Sequence, residues 1–257
     1  GSATLTVTSL TSAAGTFSAG VTVSGEKHAN DGGGSVTQTL GIAQTVNKLP
    51  APAFSWPADS YTAHYGQTLA NLTLPTDANG VFSWVDGNAS SVGSVGSNAH
   101  VMAYTPNNLN YDYSVIAGWD SATTTVRQSY TVTVMATGGT LTAPLTAEKA
   151  AEVFGDGATF TDGTPPTITL TKDITLSDSI VVGTDVTIDL NGHTITAPEG
   201  KAAIVVPEND VDITLAGNGG VTGGKGTDGS AGGAGSPAID FGGTTGGTVT
   251  VGTGVTV

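Results

Sequence analysis

Short runs of alternating apolar and polar residues recur at nearly even spacing in the last third of the chain. The runs at 168–170, 188–190, 213–215 and 249–251 start 20, 25 and 36 residues apart. The longest gap contains a glycine-rich insertion, 223–236, without which it shrinks to 22 residues. A period of about 20–25 residues with strand-like alternation is typical of a solenoid built from β coils.

Alternation within these runs predicts which side chains face the core, because successive residues of a strand point to opposite sides. The inward-facing positions are Val186, Ile188, Leu190, Val211, Ile213 and Leu215, and the outward-facing ones are Thr187, Asp189, Asp212 and Thr214. Asp189 and Asp212 are therefore expected on one outer face, one strand spacing apart.

One helix is predicted directly before the coils, near 146–154. Thr146 provides an N-terminal cap, Glu148 lies in the first turn, and Gly155 ends the helix. An amphipathic helix in this place is expected to cover the apolar end of the first coil.

The first 48 residues predict a small antiparallel β module, over 3–48. The runs at 5–10, 16–23 and 35–40 each alternate with period two. Two prolines at 48–52 then predict a short stiff linker, because proline fixes φ and removes a backbone donor.

Residues 49–138 predict a compact β-sandwich. Strand-like runs alternate with turn residues there, and all three tryptophans and all six tyrosines lie between 53 and 137, enough for an aromatic core. The predicted strands are 53–56, 67–72, 81–84, 100–104 and 129–134.

This middle segment resembles the small Ig-like repeats of bacterial surface proteins, found in tandem in large Gram-positive adhesins. The resemblance is carried by Tyr-Gly-Gln-Thr-Leu at 65–69, Phe-Ser-Trp at 82–84, Gly93, Tyr-Thr-Pro at 104–106 and Asn-Tyr at 110–111. It implies structural roles for these residues, in opening and closing the module.

The last segment, 139–257, resembles the right-handed parallel β-helix of pectate-lyase-like surface proteins. Its most specific piece is 186–195, a strand followed by Asn-Gly and a second short strand. Together the resemblances predict an all-β chain: antiparallel and Ig-like sandwich modules, then a right-handed parallel β-helix with an N-terminal capping helix. Because the chain ends within a Thr-Val alternation without a cap, we expect the coils to be truncated.

Charge and cysteine content narrow the possible partners. Seven lysines and arginines against 21 aspartates and glutamates give a net charge of −14, which repels nucleic acid and anionic membrane surfaces. No apolar run approaches the length of a membrane span. The absence of cysteine excludes disulfides and fits a cytosolic protein or a Gram-positive surface protein.

Catalytic and metal-binding constellations are not evident in the sequence. A β-helix polysaccharide lyase needs a basic residue beside Ca²⁺-binding carboxylates, but the only arginine is Arg127, and the coils offer just Lys172, Lys201 and Lys225. Asp189 and Asp212 are the only candidate pair for hydrolysis, and solvated outer-face positions on an acidic protein explain them better. The four histidines show no metal-ligand spacing. We therefore predict no catalytic, cofactor or metal site, and expect His193 to fix the geometry of its turn.

The sequence thus favours a non-enzymatic, monomeric segment of a large extracellular bacterial cell-wall protein. Its modules form a stalk, and its β-helix binds a host glycoprotein, an immunoglobulin or a glycan. The expected ligand-binding residues lie on the 223–236 loop and the outer sheet: Lys225, Thr227, Asp228, Asp189 and Asp212. The alternatives are a fragment of a β-helix carbohydrate-active enzyme, either a polysaccharide lyase or a glycoside hydrolase, whose active coils lie elsewhere, and a pure spacer.

Overall fold

The computed structural model describes residues 13–57, 60–226, 235–243 and 245–257, which are mostly β-strand with a single α-helix. Up to residue 135 the strands are β1 (Gly15–Glu26), β2 (Ser35–Val46), β3 (Leu49–Pro50), β4 (Ser60–His64), β5 (Thr76–Asp77), β6 (Gly80–Trp84), β7 (Gly96–Pro106), β8 (Tyr111–Asp112), β9 (Trp119–Asp120) and β10 (Thr125–Met135). The following elements are β11 (Gly139–Thr142), α1 (Ala147–Phe154), β12 (Ala158–Thr161), β13 (Thr167–Leu170), β14 (Ile174–Thr175), β15 (Ile180–Gly183), β16 (Val186–Asp189), β17 (Thr194–Thr196), β18 (Ile204–Val205), β19 (Asp212–Ala216), β20 (Gly219–Thr222), β21 (Ile239–Asp240), β22 (Thr248–Val251) and β23 (Val255–Thr256).

The chain divides into two compact units. The first consists of Gly1–Ser55, Thr76–Phe82 and Ala103–Arg127, and the second of Trp56–Pro75, Ser83–Met102 and Gln128–Val257. Three strands, β6, β7 and β10, contribute residues to both units.

In the first unit, β1 and β2 form a two-stranded antiparallel hairpin. Its register runs without a bulge from Gly15 opposite Val46 to Glu26 opposite Ser35. The strands predicted at 16–23 and 35–40 are therefore confirmed, whereas the one predicted at 5–10 lies outside the described residues.

The proline-containing segment predicted as a linker is paired rather than free. Leu49 and Pro50 form β3, which runs parallel to Tyr111 and Asp112 of β8, and the Leu49 N–H donates to the Asn110 carbonyl at 2.9 Å. The linker interpretation was therefore wrong here: proline lacks a donor but still tolerates a short edge pairing.

Residues 60–135 form a sheet with the strand order β4-β10-β7-β6-β5, to which β9 adds beside β10. Three predicted strands, 81–84, 100–104 and 129–134, lie within β6, β7 and β10. The predictions at 53–56 and 67–72 were wrong. In the second case Thr68 and Asn71 form a capping box around a short 3₁₀ helix, Leu69–Asn71, and this local hydrogen bonding replaces the strand.

Each unit contains its own aromatic cluster. In the first unit the ring of Phe54 stacks on Tyr104 with centroids 4.1 Å apart, and Tyr113 stacks on Trp119 at 5.9 Å. Burial and the neighbouring Asp77 carboxylate raise the pKa of Tyr104, whose hydroxyl donates to that carboxylate at 2.9 Å. In the second unit the edges of Tyr61, Tyr130 and His100 meet Trp84.

From β11 onwards, three sheets each take one strand from every successive turn of the chain. Their orders are β11-β15-β18-β21, β12-β13-β16-β19-β22 and β14-β17-β20-β23. Neighbouring strands in these sheets run parallel to each other, except β12 and β13, which are antiparallel. The four periodic runs belong to β13, β16, β19 and β22, which are neighbours in the second sheet, as their spacing predicts.

The inward positions of these strands form one continuous apolar core. Val186, Ile188 and Leu190 are fully buried, and Val211, Ile213 and Leu215 are at most 5% exposed. The outward set is half-buried or exposed, so the predicted facing is confirmed.

The register between the second and third coils differs by two residues from the one that the similar runs predict. Val186, not Ile188, pairs with Ile213, and Ile188 pairs with Leu215. A slide of two residues keeps every inward side chain inward, so alternation alone could not determine it.

The predicted helix is confirmed as α1. The Thr146 hydroxyl accepts from the Lys149 N–H, Glu148 lies in the first turn, and Gly155 follows with φ +61°. Val153 and Phe154 are buried in the same core as the coil strands, which the helix therefore covers. In the part of the chain that the structure describes, no helix is long and apolar enough to cross a membrane.

Asp156, just beyond α1, holds three segments of the second unit together. Its Oδ1 accepts from the Val95 N–H at 2.9 Å, and its Oδ2 lies 3.3 Å from Lys172 Nζ. Burial alone would raise the pKa of this carboxyl, but hydrogen bonds from Ser94, Val95 and Lys172 and the lysine charge bring it below its ordinary value.

We expect Asp156→Ala to destabilise the second unit near neutral pH by about 1 kcal/mol, mostly by removing the acceptor of the Val95 N–H, because the lysine pair is one-third exposed and screened. Since the folded-state pKa is depressed, this stabilisation is present above the unfolded pKa, near 3.9, and is lost as pH falls through the folded value. Urea unfolding of both proteins between about pH 3 and 7 measures it. Lys172→Met is the control that removes the ion pair alone, and a wild-type advantage that grows below pH 4 would contradict the expectation.

Candidate binding site

Aspartates at the starts of neighbouring strands link one coil to the next. The Asp185 carboxylate accepts from the Asp212 backbone N–H at 2.8 Å. The Asp212 carboxylate in turn accepts from the N–H and the hydroxyl of Thr248, at 3.0 and 2.7 Å. The predicted ligand-binding residue Asp212 thus has a structural role in this ladder.

The structure does not bring Asp189 and Asp212 together. The register places Asp189 opposite Ala216 and Asp212 one residue before Ile213, which pairs with Val186. The two aspartates are therefore offset by four positions, about 13 Å along the strand direction. Inverting hydrolysis needs carboxylates about 6.5–9.5 Å apart, and Asp189 Oδ1 accepts instead from the Asn191 N–H at 3.0 Å.

Lys225 lines a surface cavity of about 310 Å³ at one corner of the coils. Thr196 and Thr222, which are paired in register at the ends of β17 and β20, contribute to its wall. Glu199 adds a carboxylate and Ala197 a small apolar surface. The cavity therefore offers a cation, an anion and two hydroxyl-bearing side chains within a volume at the lower end of small-molecule pockets.

Close backbone contacts hold this corner in place. The Gly200 N–H donates to the Lys225 carbonyl at 2.8 Å, and the Gly224 N–H donates to the Lys201 carbonyl at 2.9 Å. A Cβ on Gly224 would lie 2.0 Å from the Pro198 carbonyl oxygen, so only glycine allows this approach. Lys225 is thereby fixed beside the turn after β17.

The two lysines at this corner have different partners. Lys201 Nζ lies 2.8 Å from Asp178, and its hydrogen bond, together with that from the Ser179 N–H, lowers the pKa of this carboxyl. No ion pair joins Lys225 to another residue in the described ranges.

The remaining predicted contacts, Thr227 and Asp228, lie outside the described residues. Sequence reasoning missed Glu199, Thr196 and Thr222. The only sequence signal for the two threonines is their position after a similar apolar residue in β17 and β20, and nothing in the sequence singles out Glu199.

The main chain of His193 takes part in the hydrogen bonds of its turn. Its N–H donates to the Leu190 carbonyl at 2.7 Å, its own carbonyl accepts from the Gly220 N–H at 3.2 Å, and its ring lies 3.5 Å from Asp173. Within the described ranges, no three histidine, aspartate or glutamate residues are grouped as a metal site.

A second cavity, of about 500 Å³, lies in the first unit and is more apolar. It is lined by residues 50–54 together with Val115 and Ile116, and Lys48 and Asp112 are its charged residues. Hydrogen bonds from Ser114 lower the pKa of Asp112, and Lys48 contributes a smaller electrostatic effect. It lacks the paired hydroxyls of the cavity at Lys225, which is therefore the better site for a polar ligand.

Comparisons with known proteins found no matching protein family, no matching curated protein and no matching solved structure.

Proposed function

We propose that this chain is a non-enzymatic segment of a large bacterial cell-surface protein, located outside the cell. In this proposal an Ig-like module and the preceding hairpin act as a stalk, and a right-handed parallel β-helix displays a site for a glycan of a host glycoprotein or immunoglobulin.

The observation that carries the proposal is the cavity at Lys225, which lies at the ends of the paired strands β17 and β20. A glycan presents hydroxyl groups that donate and accept hydrogen bonds, and Thr196, Thr222, Glu199 and Lys225 provide complementary groups. The coil strands would position the two threonines, since sites on regular elements are held more firmly than sites on loops.

The positions of the acidic residues favour binding over hydrolysis. Asp212 accepts two hydrogen bonds from Thr248, and Asp189 accepts one from the Asn191 backbone, so both carboxylates are engaged within the fold. Their offset along the sheet supports the same interpretation, because the two acids cannot flank one glycosidic bond.

Lys225→Ala is expected to weaken glycan binding by roughly 10- to 100-fold, the effect of removing a charged hydrogen-bond donor. The full chain would be screened on an array of host glycans, and the strongest glycan then titrated by calorimetry. Lys27→Ala, in the turn of the β1–β2 hairpin, is the matched control and should bind like the wild type.

Four outcomes would count against the proposal. Equal losses for the two lysine variants would move the site away from the cavity. Retention of full affinity by Lys225→Ala would do the same. Failure of the wild type to bind any glycan or immunoglobulin would favour a spacer, and release of cleaved sugar from a bound glycan would favour an enzyme.

A further inference from the structure

The β1–β2 hairpin has one apolar face and one polar face. The polar face carries mostly threonine, serine and glycine, and the hydroxyls of Thr22 and Thr39 lie 3.3 Å apart on it. The opposite face also contains Gly15, Gly25, Gln38 and Gln44, and its apolar residues are Phe17, Ala19, Val21, Val23, Val36, Leu40, Ile42 and Val46.

The other described residues leave much of this apolar face exposed to solvent. Val23 is 62% exposed, Leu40 58%, Val36 41% and Phe17 37%. A two-stranded hairpin on its own is marginally stable in water and needs packing on one face. The hairpin therefore gains stability when an apolar surface packs on this face.

The hairpin also lacks the devices that keep β-strands from associating. Its two 12-residue strands contain no lysine, no proline and no bulge, and Glu26 is their only charged residue. Natural sheets discourage association with such features, and strands without them pair readily with other surfaces.

The distribution of charge along the chain favours the hairpin as the contact surface between two copies. Residues 1–48 contain two lysines and two acidic residues, so the whole net charge of −14 resides in residues 49–257. Two copies repel each other elsewhere, but not at this neutral apolar face.

We propose that the apolar face of the hairpin is a self-association surface, which packs on the same face of a second copy. A two-fold arrangement makes one patch its own complement. The apolar face measures about 41 Å by 10 Å, or about 400 Å² on each copy. This is smaller than a standard interface, so the dimer is weak and dependent on concentration. The proposal departs from the monomer expected from the sequence.

Sedimentation velocity of the full chain over about 5–500 μM tests the proposal, since this is the range of a small interface. We expect a reversible monomer–dimer equilibrium that strengthens when salt rises from about 50 to 500 mM, because screening weakens the repulsion between the acidic segments. The variant Val23→Thr/Val36→Thr should weaken association at least 10-fold while keeping β-branched side chains in the strands.

The matched control is Val81→Thr/Val115→Thr, the same change at two valines that are 65% and 80% exposed outside the hairpin. This variant should associate like the wild type. Circular dichroism and unfolding of all variants would verify that each remains folded.

The absence of cysteine permits a second, geometric measurement. Stacked sheets lie about 10 Å apart, too far for a direct disulfide, so a short bis-maleimide is the appropriate cross-linker. Val21→Cys, on the apolar face, should be trapped as a dimer much more efficiently than Thr22→Cys on the polar face.

Several results would overturn the proposal. These are a wild type that stays monomeric throughout, an association that the hairpin variant leaves unchanged, and equal cross-linking from both faces. A monomer that binds apolar peptides or vesicles through Val23 and Val36 would assign the face to a different partner.

Discussion

Ile188→Ala is expected to destabilise the coils by about 2–5 kcal/mol, one of the two largest effects that we predict. Ile188 is fully buried at the middle of the stack and aligns with Ile168 in one neighbouring strand and Leu215 in the other. Removing three carbon atoms there leaves a cavity that the stacked coils cannot fill, because strand pairing on both sides fixes the backbone. Urea unfolding of the full chain, followed by far-ultraviolet circular dichroism, measures the loss.

Two further variants test whether the loss at Ile188 comes from core packing or from any substitution in this strand. Ile188→Val should cost about 0.5–1.5 kcal/mol, and Thr187→Ala, on the outward face of the same strand, should cost less than Ile188→Ala. A loss at Thr187 equal to that at Ile188 would mean that the core does not lie where the alternation places it.

The facing and spacing of the coil strands could be predicted because the same alternation of apolar and polar residues is repeated in each turn. Val186, Ile188 and Leu190 alternate with polar residues, and the same alternation returns one coil later, so facing and spacing follow from pattern alone. The helix was equally accessible, since Thr146 and Gly155 mark its two ends with specific capping chemistry.

The register between coils could not be predicted in the same way. Pairing Ile188 with Ile213 or with Leu215 buries the same number of side chains, and the choice depends on how the intervening turns fit. This shift of two residues widens the offset between Asp189 and Asp212 from two positions to four. The hydrolytic alternative therefore depended on a detail that alternation leaves open.

The candidate site was predicted only in part, for a related reason. Lys225 stood out because it lies in an insertion between coils, where binding residues often cluster. Thr196 and Glu199 precede it by more than 20 residues, and they approach it through the stacking of β17 on β20 and the contact of Gly224 with Pro198. The length of the coils and the positions of the glycines bring these distant residues close to Lys225, and no local sequence motif predicts this.

The second large effect is expected at Gly138, which joins β10 to β11. Its φ is +73°, and a Cβ there would lie 2.2 Å from the Asp178 carbonyl oxygen, so alanine meets both backbone strain and a collision with main chain. We expect Gly138→Ala to cost about 2–5 kcal/mol, combining about 1–2 for the left-handed conformation with about 1–3 for overpacking.

Gly66→Ala measures the cost of the left-handed conformation without the cost of overpacking. Gly66 belongs to the same unit and has φ +86°, but nothing lies within 4 Å of its missing Cβ. Alanine there should cost only the conformational part, about 1–2 kcal/mol. Thermal and urea unfolding of both variants would measure the difference, which reports how tightly 178–179 packs against the start of the coils. The Gly139 N–H donates to the Ser179 carbonyl at 3.0 Å, which indicates a rigid β10–β11 junction. Equal losses would show that the contact at Gly138 relaxes freely and that the junction is less rigid than this hydrogen bond indicates.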